Sequence, residues 1–233
     1  VWRMPENSNQ SKLDNYSLNF DGTEDIKLGN NTYLLPGQPS STSTSVSNPK
    51  FSASIFFNFN SSAEGSAVWA IGAGQGGGAT YWNLRKNTGN KLEANFRTTN
   101  GGYATITGGT TLTPDTWYHG CVTWDGDNIN LYLNGVSDAT QVAATTFYYS
   151  STISYSTIGS FRYSASATGN LWKGKLSEAT IFDYGLSETQ VKYLYNNNAG
   201  GSTPNPQNPM AIAGPAPIAY YPLGQSATGD DNT

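Results

Sequence analysis

The residues able to do proton or nucleophile chemistry are few and scattered. The chain has one histidine, His119, and one cysteine, Cys121. Two residues apart in a strand-like run, their side chains point to the same face, a geometry that a thiolate–imidazole pair can use. No local nucleophile or orienting group accompanies His119, and a same-face Cys–His pair in a strand is ordinarily packing. One thiol excludes an intrachain disulfide and any Cys-based structural zinc site, and one imidazole excludes a His-rich centre. The run Gly72-Ala73-Gly74-Gln75-Gly76-Gly77-Gly78 lacks the Lys-Ser/Thr and the following helix of a phosphate loop, so it reads as a flexible loop.

Sugar recognition asks for a different set: aromatic faces to stack on pyranose C–H surfaces, with amides and arginine to read the hydroxyls. Such a set falls on the hairpin read between Tyr81 and Thr98, which turns at Asn87-Thr88-Gly89-Asn90. Residues facing each other across antiparallel strands share a sheet face. Pairing Trp82 with Phe96 and Leu84 with Ala94 gathers apolar groups on one side. The same register sets Tyr81 opposite Arg97, Asn83 opposite Asn95 and Arg85 opposite Glu93 on the other, whereas a one-residue slip sets Arg85 against Leu92. Tyr81, Asn83, Arg85, Asn95 and Arg97 are therefore the candidate ligand-binding residues. The same face equally reads as a solvated sheet surface with a Tyr–Arg contact and an Arg85–Glu93 pair. Tyr148-Tyr149 and Phe161-Arg162-Tyr163 lie in Ser/Thr/Tyr-rich loops of the kind that form recognition surfaces, or that pack neighbouring subunits. Trp82, Trp117 and Trp124 read as core.

The elements that must position these residues are almost all strands. Tyr16-Ser17-Leu18-Asn19-Phe20 alternates and ends at Asp21-Gly22, residues 36–49 read as a polar loop, and Phe51–Phe59 reads as a core strand. A second hairpin joins Trp117–Trp124 to Ile129–Asn134 through Gly126-Asp127, with glycine where a type II′ turn needs it. It pairs Trp124 with Ile129 and Val122 with Leu131. Its other face carries Trp117, His119, Cys121, Tyr132 and Asn134, so bulky groups on both faces predict a central hairpin. One helix is signalled, by a capping box of Ser187 and Gln190 and a staple of Leu186 with Val191, running to about Tyr195. Residues 199–217, rich in Pro and Gly, read as a linker or semi-stiff arm.

Composition narrows the class further. With 233 residues the chain can bury a core without staples. Charged residues are 12% of it, the net charge is −4, and the twelve basic residues are dispersed, leaving no electrostatic footprint for nucleic acid. No apolar run approaches the roughly 18 residues a membrane span needs. The opening Val1-Trp2-Arg3-Met4-Pro5 lacks the pattern of a signal peptide, and the expectation is of a processed or excised piece. Gly, Asn, Ser, Thr and 15 Tyr supply turns and strands, a composition found in extracellular adhesins and viral fibres.

The ordered motifs resemble those of the laminin-G-like jelly-roll family, concanavalin A-type sandwiches related in architecture to pentraxins and legume lectins. Pro114-Asp115-Thr116-Trp117-Tyr118-His119 with Val122-Thr123-Trp124-Asp125-Gly126 is similar to one family strand, and Leu131-Tyr132-Leu133-Asn134-Gly135 to the next strand and turn. Ile158-Gly159-Ser160, Gly174-Lys175-Leu176-Ser177-Glu178-Ala179 and Ile181-Phe182-Asp183 resemble the closing strands. Leu186-Ser187 with Gln190-Val191 resembles the short helix after them, and Leu18-Asn19-Phe20-Asp21-Gly22 the opening strand. Ile218-Ala219-Tyr220-Tyr221-Pro222-Leu223-Gly224 is similar to the opening of a further such unit, which implies a tandem array.

The resemblance implies that first and last strands are neighbours, so that Asp21, Glu178 and Asp183 could gather as hard oxygen ligands around a structural calcium ion. The family commonly has an acidic residue where this chain has Ser177, with Glu178 beside it. Glucanases of similar fold carry Glu-x-Asp-x-Glu on one strand, placing two carboxylates on one face across the scissile bond. No such triplet occurs here: Glu64, Glu93, Glu178 and Glu188 stand alone, and Glu24-Asp25 adjoin on opposite faces.

The expected fold is an all-β jelly-roll β-sandwich of two antiparallel sheets over residues 1–198, with one short C-terminal helix. An extended C-terminal arm follows, a linker over 199–217 and then residues 218–233, the start of a further repeat or the end of the arm. The expected function is non-enzymatic glycan binding or adhesion at a virion or cell surface, foremost in a viral fibre or decoration protein. Its partners would be cell-surface glycans and neighbouring copies or repeats, with neither nucleic acid nor membrane insertion. The rival is a structural unit that holds a particle or filament together without a sugar ligand.

Overall fold

Strand periodicity of two resolves into two facing antiparallel sheets. The computed structural model describes residues 17–29, 32–39, 45–75, 79–149, 154–162, 168–196 and 204–224. Its strands are β1 (Leu18–Asp21), β2 (Ile26–Gly29), β3 (Ser45–Ser47), β4 (Phe51–Phe59), β5 (Val68–Gln75) and β6 (Thr80–Lys86). Then come β7 (Leu92–Arg97), β8 (Tyr103–Thr107), β9 (Tyr118–Trp124), β10 (Asn128–Leu133), β11 (Val136–Ser137) and β12 (Val142–Ala143). The last six are β13 (Thr146–Tyr148), β14 (Ser154–Ile158), β15 (Phe161–Arg162), β16 (Thr168–Gly169), β17 (Lys173–Phe182) and β18 (Ala219–Tyr221). The first sheet runs β1-β17-β4-β9-β10-β11, with β12 also on β10 and β18 on β17. The second runs β2-β14-β5-β6-β7-β8, and β13-β3 and β15-β16 form two small ladders. Part of the expected polar loop is thus the short strand β3, paired through Val46 with Phe147.

The inward residues of the two sheets interlock. Phe51 meets Trp82 edge-on at 4.7 Å between ring centroids, and Phe96 meets Trp124 at 5.0 Å. Both predicted hairpins form in the expected registers, Trp82 with Phe96 and Asn83 with Asn95 in one, Trp124 with Ile129 and Val122 with Leu131 in the other. β9 is central, between β4 and β10, and every one of its residues is buried. Its second face is covered by α1 (Glu188–Asn196), whose Val191 and Leu194 pack with Cys121, Tyr132 and Phe182. The capping box closes as expected: Ser187 N–H donates to Gln190 Oε1 at 2.8 Å, and Gln190 N–H donates back to Ser187 Oγ at 3.3 Å.

One expectation is corrected. Residues 72–75 are the end of β5, not loop. Glycine is required at 72 because a Cβ there would stand 2.7 Å from both the Trp69 ring and the Trp82 carbonyl oxygen. Residues 76–78 lie outside the described part. The Pro-rich segment is extended, as its prolines demand, but residues 204–224 lie along this sandwich. Asn205 and Gln207 N–H groups donate to the carbonyls of Tyr195 and Leu194, and Ile212 packs under α1. The chain then enters the first sheet as β18, antiparallel to β17 from Ala179 to Ile181. β1 and β18 thus share one edge of β17 end to end, on either side of a bulge at Ser177–Thr180.

Candidate functional site

The structure brings the five predicted ligand residues together along β6 and β7, and it buries four of them. Asn83, Arg85, Asn95 and Arg97 line the side of the second sheet that faces away from the core. Tyr81, at an irregularity in the β5–β6 pairing, joins them through the Arg97 guanidinium, 6.0 Å from its ring centre. Tyr81, Asn83, Asn95 and Arg97 are between 0% and 8% exposed, and Arg85 is half-buried. Aromatic residues from distant segments roof them. Tyr149 packs on Tyr81 at 5.2 Å, and the Arg97 guanidinium lies 4.8 Å from the centre of the Tyr148 ring. Further along, Phe161 covers Trp69 at 4.5 Å. Tyr163 lies outside the described residues.

Beneath that roof the polar groups satisfy one another. Arg85 donates twice to Glu93 Oε1, at 2.9 and 2.5 Å, and Glu93 Oε2 accepts from Asn87 and Thr107 at 3.0 and 2.9 Å. Burial alone would raise the Glu93 carboxyl; the hydrogen bonds of Asn87, Arg85 and Thr107, with the Arg85 charge, outweigh it and hold the group below its ordinary value. Asn95 donates to Asn83 Oδ1 at 3.1 Å and accepts from Thr105 Oγ1 at 2.6 Å. Arg97 donates to Asn100 Oδ1 at 3.0 Å. The stripe is hydrogen-bonded to β8 through Thr105 and Thr107.

An open groove of about 720 Å³ lies beyond it. One wall is Tyr103, Ala104 and Thr105 of β8 with Thr98 and Thr99, and the other is residues 142–146. Strand alternation turns Tyr103 and Thr105 outward, and Tyr103 is 43% exposed. The second wall is pinned to the first sheet where Val142 pairs with Ile129 and Trp124 Nε1–H donates to the Ala144 carbonyl at 2.8 Å; Thr146 pairs with Ser47 in the separate β13–β3 ladder. Sequence reasoning stopped at the first hairpin. The alternation Tyr103-Ala104-Thr105-Ile106-Thr107 was the available sign that the same face continues onto one more strand.

The residues proposed to hold calcium do not fit it. β1 runs antiparallel to β17, so Asp21 lands opposite Lys173 at the first residue of β17. Asp183 follows the last, roughly 30 Å away at about 3.3 Å per residue. Asp21 accepts from Thr23, Asp183 from Gln38 at 3.3 Å, and Glu178 from the Tyr220 hydroxyl. Among the described residues no group of three or more His, Cys, Asp and Glu is arranged around a common point.

His119 and Cys121 are packing residues. Both are fully buried beneath Phe56, α1 and its Tyr195. His119 Nε2 shares a hydrogen bond of 2.6 Å with Ser54 Oγ, and burial presses the imidazole down to about 3, so it stays neutral. Burial also pushes the Cys121 thiol up. Neither group can meet a substrate in this fold.

Two facing antiparallel sheets, a capped helix over one of them and a groove at the free edge of the other define a lectin-like jelly-roll sandwich. The family model of the concanavalin A-like lectin/glucanases superfamily, in its laminin G form, matches residues 28–192, and the chain belongs to this superfamily. A heptameric SAP-like pentraxin from Limulus polyphemus superposes with a TM-score of 0.57 at 14% identity, covering 93% of this chain and 98% of its own. The CBM40 of an IT-sialidase from Ruminococcus gnavus, bound to α2,3-sialyllactose, gives 0.60 at 12% identity, covering 76% and 95%. NanB sialidase from Streptococcus pneumoniae gives 0.55 at 15% identity over 83% of this chain and 28% of its own. At these identities the likeness concerns the fold. A search of curated protein sequences finds no match. Among the described residues no helix is long and apolar enough to cross a membrane.

Proposed function

We propose that this chain is a non-enzymatic glycan-binding module, that the groove beside β8 is its contact surface, and that the five-residue stripe positions that surface from behind. The observation that carries this reading is the exposed Tyr103 ring beside threonine hydroxyls in an open groove on a lectin-like sandwich. An aromatic face and fixed hydroxyls are the elements that read a sugar's C–H face and its hydroxyl groups. The lack of a Glu-x-Asp-x-Glu triplet and the burial of His119 and Cys121 favour binding over turnover. Single shallow sites of this kind bind weakly and gain strength from multivalency, which suits a surface-exposed protein, foremost a viral fibre or decoration protein presenting many copies.

The rival is an assembly role, which a C-terminal arm extended towards neighbouring copies would favour; the packing of residues 204–224 on their own sandwich removes that support. The test is a glycan array probed with the multimerised chain, in calcium and in chelator. Binding to a defined glycan set, equal in both conditions and lost in Tyr103→Ala, is expected. Silence from a folded probe would return the assembly role to first place.

A further inference from the structure

The groove is uncharged. None of its ten lining residues, Thr98 to Thr146, carries an ionisable charge at neutral pH. The cation closest in register is Arg97, directly opposite Tyr103 across the β7–β8 ladder. Its guanidinium is turned onto the Tyr148 ring and lies 6.0 Å from the Tyr81 ring, donates to Asn100, and is 6% exposed. Arg85 is held by Glu93. From these placements, and resting on the glycan reading above, we infer that the ligand is a neutral saccharide chain and that sugars bearing carboxylate or sulfate are discriminated against.

The physical argument has two parts. Threonine hydroxyls donate and accept alike, so they match sugar hydroxyls of either polarity, and an exposed tyrosine face takes an uncharged pyranose without any ionic partner. A carboxylate entering the same groove gives up water and meets no cation among its described lining residues, which is unfavourable. The net charge of −4 adds long-range repulsion of anions at low salt. Freeing Arg97 to meet an anion would require it to leave two tyrosine rings and Asn100.

The test is titration calorimetry on the full chain with matched probes. One series is neutral: gluco-, xylo- and galacto-oligosaccharides. The other carries the same cores capped with sialic acid or a uronic acid. Expected are binding within the neutral series that does not change between 50 and 500 mM salt, and at least tenfold weaker binding of each capped counterpart. Tyr103→Ala lowers affinity for the neutral ligand tenfold or more with the fold unchanged, as its exposure implies, and Thr99→Arg recovers binding of the capped series. Preferential, salt-sensitive binding of the capped series would overturn the neutral-ligand inference while leaving the glycan reading intact. Neutral binding unaffected by Tyr103→Ala would overturn the site. Failure of every saccharide to bind the folded chain would overturn the glycan reading itself.

Discussion

Moving from pH 5 to pH 8 tests the join between the C-terminal strand and the sandwich, because that join is built around a buried carboxyl. Glu178 occupies the bulge in β17 at φ +54°, in the left-handed region, with its N–H donating to the Pro222 carbonyl at 3.2 Å and its carboxyl accepting from the Tyr220 hydroxyl. Ser177 Oγ donates to the same carbonyl at 3.2 Å. No cation is paired with Glu178 among the described residues. Burial pushes the group up from 4.5 to about 7, with the Tyr220 hydrogen bond opposing. Between those two values the folded chain holds a proton that the unfolded chain has released. Stability from this group is therefore complete below about pH 4.5 and is lost as pH rises through 7, opposite in sign to an ion-paired carboxylate. The gap between 4.5 and about 7 corresponds to about 3 kcal/mol. That is a large share of the stability of a domain of this size.

His119 works in the other direction, since its neutral buried form loses stability as pH falls from 6.5 towards about 3. A difference between variants removes that term. Glu178→Gln keeps an oxygen to accept from Tyr220 and cannot ionise. Denaturant melts of the parent chain and Glu178→Gln at pH 5, 6, 7 and 8 should show the variant gaining on the parent by about 2.5 kcal/mol across the series, with most of the change between pH 5 and pH 7. Parallel profiles for the two proteins would refute the assignment of a buried, neutral carboxyl at this bulge. A parent chain that is more stable than the variant at pH 8 would mean that the ionised form is well solvated where it sits.

Three further outcomes follow from the packing. Gly72→Ala forces a Cβ to within 2.7 Å of the Trp69 ring and the Trp82 carbonyl, so thermal melting should show a loss of about 1–3 kcal/mol. Ser187→Ala removes one half of the capping box and should lower stability by about 1 kcal/mol in the same assay, with Gln190 still bonded to the Ser187 position's N–H. Cys121, fully buried with its thiol pushed up, should resist a thiol reagent at pH 8 in the native chain and react promptly in denaturant; fast native labelling would contradict its placement.

What was readable in the sequence was local. The two hairpin registers rest on residues a few positions apart, Trp82 with Phe96 and Trp124 with Ile129, where a one-residue slip exposes every apolar side chain. The capping box is local too. The face of Asn83, Asn95 and Arg97 was readable, but not its burial, because the roof comes from Tyr148, Tyr149 and neighbours more than fifty residues later in the chain. The calcium expectation failed at the same level. β1 does lie beside β17, as the family resemblance implied, yet neighbouring strands bring two residues together only if the register agrees, and the antiparallel register sends Asp21 to Lys173.

The groove shows the same boundary from the other side. Tyr103 and Thr145 lie about forty positions apart, and neither belongs to a motif. They become one surface because β8 is the last strand of its sheet while residues 142–144, just before Thr145, are tied to the other, so the gap between the sheet edges falls there. The buried stripe then has a reason to be polar. A sheet face held by Arg85–Glu93 and Asn83–Asn95–Thr105 fixes the side chains that flank the groove more firmly than apolar packing would, since each hydrogen bond sets an orientation as well as a distance. If that is its role, Asn95→Ala should weaken sugar binding although Asn95 touches no ligand, and Asn83→Ala, which breaks the same chain on the side away from the groove, should add little to it in the double variant.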